Sequence, residues 1–147
     1  MKIIVLYGKG NTGKSTSIRR FYDKYVKDNP LFAINKDDIG TLDLRLRATY
    51  KGKVVGIFSH GDSEWWVKDG FDYIGDCDVV ICACRSKGAA IDYIKSKSSE
   101  IVWLEKATLG YVGGVLLDGD VAWIREEQAD STAARINGLL QVLVKND

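Results

Sequence analysis

Apolar and polar positions fall in blocks along the chain, each with the period of one kind of element. Ile3-Ile4-Val5-Leu6-Tyr7 is an unbroken apolar run, as a strand covered on both faces of a parallel sheet requires. Ile18, Phe21, Tyr22 and Tyr25 then recur at helical spacing, with Arg19, Arg20, Asp23 and Lys24 filling the other face, and Pro30 stops that helix near Asp28-Asn29. Leu31 to Ile34 reads as a short strand. Thr41 to Tyr50 alternates, with Leu42, Leu44, Leu46 and Ala48 on one face and Asp43, Arg45 and Arg47 on the other, so a half-exposed strand is expected. Lys51-Gly52 makes a turn and Val54 to Phe58 returns as the second strand of a hairpin.

Downstream, Ser63 caps a helix predicted over 64–74, with Trp65, Trp66 and Phe71 as its apolar surface; at least one of the two tryptophans is expected in the core, the alternative being a stack on a base or substrate. Asp78 to Cys84 reads as a buried strand, residues 88–97 as a helix gathering Ala90, Ile91 and Ile94, and Ile101 to Leu104 as a further strand. Residues 110–124 admit two readings, a small hairpin turned at Asp118-Gly119 or a mobile flap. A last helix is predicted from Ser131, burying Ile136, Leu139, Leu140 and Leu143. Strands alternating with helices imply a mostly parallel α/β sheet, with one antiparallel hairpin strand and helices on both faces.

Between the first strand and first helix lies Gly8-Lys9-Gly10-Asn11-Thr12-Gly13-Lys14-Ser15, followed by Thr16, which spells G-x-x-x-x-G-K-[ST]. Glycines let a backbone curl round a phosphate chain with its N–H groups inward, and the helix that follows adds its positive end. In this pattern Lys14 reaches the β- and γ-phosphates and the Ser15 hydroxyl ligates Mg²⁺. Ligands of open α/β sheets bind outside the carboxyl ends of the strands. The residues following each predicted strand are therefore the shortlist: this loop, Asn35-Lys36-Asp37-Asp38, Ser59-His60-Gly61-Asp62, Arg85-Ser86-Lys87 and Glu105-Lys106. Asp62, ending an apolar strand after a flexible Gly, is the expected second metal-side carboxylate, although Ser59-His60-Gly61 intervene. Its alternative role is to cap the next helix. His60 is a candidate to orient water or contact phosphate. Arg85 is the expected charge-stabilising cation, with Lys87 and Lys106 as reserves.

The chain has 147 residues, 46% hydrophobic and 28% charged, which suits one compact domain spanning 1–147, with nucleotide binding expected of it on the Gly8–Ser15 motif alone. A net charge of +1 offers no bulk attraction to nucleic acid or anionic lipid, which with the chain's size disfavours a nucleic-acid motor, and no apolar run approaches the ~20 residues of a membrane span. Met1-Lys2 runs directly into the first strand, and a cytoplasmic location is expected. Cys77, Cys82 and Cys84 are an odd number with a single histidine in the chain, so burial is expected for them rather than a disulfide framework or a metal site.

On the Gly8–Ser15 motif the chain resembles the P-loop NTPase superfamily and looks like small bacterial or phage ATP-binding proteins of that kind. The resemblance implies a three-layer P-loop fold binding ATP, with GTP as the other candidate, together with Mg²⁺. It implies hydrolysis or transfer of phosphate to a small acceptor, or else a nucleotide-controlled switch read by a protein partner. Likeness to small GTPases would make Thr41 a further metal or γ-phosphate ligand. Asn35-Lys36-Asp37-Asp38 spells the guanine-reading N-K-x-D but precedes the hairpin, so it is read as a decoy. Likeness to small kinases would put the acceptor near Asp37 and Asp38, with Arg85 and Lys87 serving in place of lid arginines.

Overall fold

In the computed structural model, which describes residues 1–10, 13–106 and 117–145, β1 (Lys2–Gly8) leads through the glycine-rich loop into α1 (Lys14–Phe21). A π-helical turn (Tyr22–Val26) extends that helix, and Asp28, at φ 61, turns the chain three residues before Leu31. There follow β2 (Phe32–Ile39), β3 (Leu44–Tyr50), β4 (Lys53–Phe58), α2 (Glu64–Ile74), β5 (Val79–Arg85), α3 (Ala89–Lys97), β6 (Glu100–Glu105) and α4 (Asp118–Lys145). The strands form one six-stranded sheet in the order β2-β3-β4-β5-β1-β6. Pairing is parallel across β4-β5-β1-β6 and antiparallel across β2-β3-β4.

Successive residues of a strand face opposite sides, and β1 uses both. Ile4 and Leu6 pack with Ile18 and Phe21 of α1 and with Ala133, Ile136 and Leu140 of α4. Ile3 and Val5 pack on the other side with Val67, Phe71 and Ile74 of α2 and Ala90 and Ile94 of α3. Burial on both faces is the reason the run 3–7 carries no polar residue. Because β1 sends its helix to one face and its neighbour β5 sends its helix to the other, a crevice opens between their carboxyl ends.

The hairpin turn forms as expected. Lys51 and Gly52 both take positive φ, 50 and 78, which matches a two-residue turn to the twist of β3 and β4. Ser63 caps α2 by accepting from the Trp66 N–H at 3.4 Å. That helix sits close on β4, since a Cβ on Gly70 would lie 2.4 Å from the Phe58 ring and one on Gly56 2.5 Å from Ile74. All three cysteines are buried and free, Cys82 and Cys84 on the same face of β5.

Four expectations are corrected. The strand expected at 31–34 runs on to Ile39, so Asn35-Lys36-Asp37-Asp38 is part of an exposed edge strand paired with β3 rather than a loop after it. The next strand begins at Leu44, which leaves Leu42 77% exposed and Asp43 in the turn before it. Trp65 and Trp66 are not core residues; they are 63% and 38% exposed. The last helix begins at Asp118, thirteen residues earlier than Ser131, so Asp118-Gly119 lies in its first turn and makes no hairpin. Residues 107–116, like Asn11 and Thr12, lie outside the described residues. Among the described residues no helix is long and apolar enough to cross a membrane.

Candidate functional site

The carboxyl ends of β1, β5 and β6 lie side by side: the Ser86 N–H donates to the Gly8 carbonyl at 3.1 Å and the Lys106 N–H to the Tyr7 carbonyl at 2.7 Å. From this edge the chain turns into α1 at Gly13, whose φ of 87 is a left-handed geometry that favours glycine. Lys14, the first residue of the helix, is 6% exposed and curls back, its ammonium donating to the Gly8 carbonyl at 3.1 Å and the Lys9 carbonyl at 2.7 Å. Burial holds its pKa below the usual lysine value; Arg85 pushes the same way, while Asp62 and the Cys84 thiol oppose.

Ser15 comes next, and its hydroxyl donates to Asp43 Oδ1 at 2.8 Å. The buried Ser59 hydroxyl, at the end of β4, donates to the same oxygen at 2.8 Å while accepting from the Leu44 N–H at 2.9 Å. Asp43 is brought there by a tight turn in which the Gly40 N–H donates to the Asp43 carbonyl at 2.9 Å, and Arg19 of α1 donates to the Gly40 carbonyl. With Oδ1 engaged twice, Oδ2 faces His60, whose Nδ1 is 3.8 Å away. On its other side His60 Nε2 lies 3.6 Å from Asp62 Oδ2. The loop carrying them leaves β4 and lies so close against β5 that a Cβ on Gly61 would stand 1.8 Å from the Ala83 carbonyl oxygen.

A cavity of about 410 Å³ opens over this group, lined by Lys14, Ser15, Thr16, Asp43 and Asp62 among others. The expected residues Gly8, Lys9, Gly10, Gly13, Lys14, Ser15 and Asp62 are thus brought to one edge, and Asn11 and Thr12 of the same loop lie outside the described residues. Arg85 is there too, its exposed guanidinium so close over the loop that a Cβ on Gly10 would lie 2.8 Å from it. Thr41 stands in the turn beside Asp43 but lines a neighbouring cavity instead. Asp38 is drawn away from the loop into an ion pair with Arg45 at 3.1 Å.

Two residues stand out that the pattern of the chain did not single out for these places. Asp43, not Asp62, is the carboxylate on Ser15; in the sequence it alternates with leucines and looks like an outward strand residue. The available signal was Gly40, which marks a turn just before it. Lys106, held only as a reserve cation, is 8% exposed with Cε 3.7 Å from where a Cβ on Gly13 would stand. Among the described residues its ammonium has no hydrogen-bond or ion-pair partner. Burial and Arg135 lower its pKa. Oxygen donors are present at the Ser15 end, yet among the described residues no cluster of three or more His, Cys, Asp or Glu side chains forms a cage for a metal ion. Any cation held here would therefore take most of its ligands from water and from the bound molecule.

No family model matches the chain, no curated protein matches it, and no solved structure matches it.

Proposed function

We propose that the chain is a Mg²⁺-dependent, ATP-binding P-loop protein of three-layer architecture that acts at the phosphoanhydride of its nucleotide. The observation that carries this reading is the Ser15–Asp43 hydrogen bond, 2.8 Å, beside a buried Lys14 at the start of a helix that follows a glycine-rich turn. A hydroxyl backed by a carboxylate suits a small hard cation that keeps its water and bridges to phosphate oxygens; such a cation would supply charge neutralisation between the β- and γ-phosphates. Lys14 exchanges the two loop carbonyls it now holds for phosphate oxygens, and the glycine-rich turn and helix N-terminus complete the cradle. Arg85, on the crown of the loop, stabilises charge on the transferring group. The exposed, strand-bound Asn35-Lys36-Asp37-Asp38 favours ATP over GTP as ligand, because an edge strand with its carboxylate already on Arg45 makes a poor guanine reader.

Calorimetric titration with ATP tests this reading. Tight Mg²⁺-dependent binding that Lys14→Ala reduces by at least about ten-fold, with circular dichroism unchanged, is expected. No binding to the wild-type chain at millimolar ATP would sink it.

A further inference from the structure

Beside the cavity over Lys14 lies a second, of about 330 Å³, and the two meet at Leu42 and Asp43. Its floor is apolar: Leu44 and Phe58 are buried, and Gly70 leaves room for the Phe58 ring where any side chain would collide. One wall is planar, formed by His60 stacked on Trp66 with ring centroids 3.7 Å apart. The far side is charged and fixed. Arg45 pairs with Asp38 at 3.1 Å and with Asp69 at 2.9 Å while its guanidinium lies 4.2 Å from the centre of the Tyr73 ring. Asp38, Asp43 and Asp69 set against Arg45 leave three carboxylates to one cation, a surplus of two negative charges among these four side chains.

We infer that this second cavity is the acceptor site of a phosphotransferase, taking an uncharged or cationic ring compound that carries a hydroxyl group. The inference rests on the nucleotide reading above. The volume is at the lower end of the range of small-molecule sites, enough for a one- or two-ring compound and too small for a macromolecular segment of any length. An apolar floor and a planar wall bind a flat ring; the surplus of carboxylates repels a second anion and so separates acceptor from nucleotide by charge. The shared Asp43 places the acceptor hydroxyl beside the end of the phosphate chain that Ser15 holds. There the hydroxyl oxygen bonds to the γ-phosphorus, the bond from that phosphorus to the β,γ-bridging oxygen breaks, and its electron pair leaves with ADP. The hydroxyl proton passes to His60, which lines this cavity while its neighbours Ser59, Gly61 and Asp62 line the other.

His60 is the one histidine of the chain, so its imidazole proton signals report on this cavity without assignment by mutation. The experiment uses the full chain saturated with Mg²⁺ and a non-hydrolysable ATP analogue, with saturation established by calorimetry. Thiamine serves as a cationic ring alcohol, pyridoxine as an uncharged one, and their phosphate esters as anionic counterparts. Saturable shifts of the His60 signals are expected with the two alcohols and not with the esters, and Trp66→Ala should weaken the response by at least about ten-fold. If the analogue binds but neither alcohol moves the His60 signals, or the esters move them equally, the acceptor assignment is overturned and the nucleotide reading stands. If the analogue itself does not bind, both fall together.

Discussion

Asp43 holds two serine hydroxyls on one oxygen and turns the other toward His60, whereas Asp62 is exposed, lines the same cavity and lies beside His60 Nε2. The difference sets a ranking. Asp43→Asn should reduce Mg²⁺-dependent ATP affinity by about ten-fold or more, and Asp62→Asn by less than about three-fold. Paired calorimetric titrations with Mg²⁺ and with chelator decide it, and the reverse order would return the metal-side role to Asp62. Lys106 makes an opposed pair of expectations. A buried ammonium with no partner among the described residues disfavours the ligand-free fold, and an arriving anion relieves it. Lys106→Met should therefore raise the melting temperature of the nucleotide-free protein while weakening ATP binding by about ten-fold. A lower melting temperature with unchanged affinity would make Lys106 a packing residue.

Close approach of backbone to backbone at Gly61 fixes the loop after β4, together with the Ser59 hydrogen bonds and the His60–Trp66 stack. Gly61→Ala places a methyl group inside the Ala83 carbonyl, so the loop must move off β5; a loss of at least about 2 kcal/mol in denaturant unfolding is expected, with nucleotide affinity lost as well. Gly70→Ala checks the seat of α2 in the same way: a better helix former should still destabilise, because its Cβ meets the Phe58 ring. How legible an element was in the sequence follows from what holds it. β1, β4 and β5 are buried by side chains on both faces, and their apolar runs announce them. β2 continues past a bulge at Asn35 to Ile39 by backbone pairing with β3, while the side chains from Ala33 to Asp38 lie exposed, so no apolar pattern could mark its end. The first part of α4, from Asp118 to Gln128, buries only Val121, and an apolar stripe appears only where the helix meets α1 and the sheet at Ala133, Ile136 and Leu140. The glycine-rich loop was legible because its chemistry is local, residue by residue; Asp43 was not, because its role depends on its own turn being delivered to Ser15, 28 residues earlier in the chain.

Across the whole molecule, positive and negative charges nearly cancel at pH 7, and in the alkaline range the buried groups titrate on a background of lysine and tyrosine ionisation. Burial pushes the Cys77 and Cys84 thiols up to about 11 from an ordinary 9.0, and Cys82 also upward. Above pH 9.0 the unfolded chain gives up these protons before the folded one does, so stability should fall as pH rises toward 11. Lys14 and Lys106, both lowered, work against that trend: their unfolded forms keep protons up to 10.5 while the folded forms release them earlier, which favours folding as pH rises. Urea unfolding between these pH values checks the sign. Cys82→Ala should flatten the decline, and replacing both lysines by Met should steepen it. The Lys51-Gly52 turn has a practical side. It stands at the amino end of β4, a strand's length of roughly 20 Å from the edge that carries Ser15 and Asp43. A cysteine inserted in that turn would be labelled in preference to the three buried ones, giving a tether for fluorophore or surface that leaves the opposite rim open to small molecules.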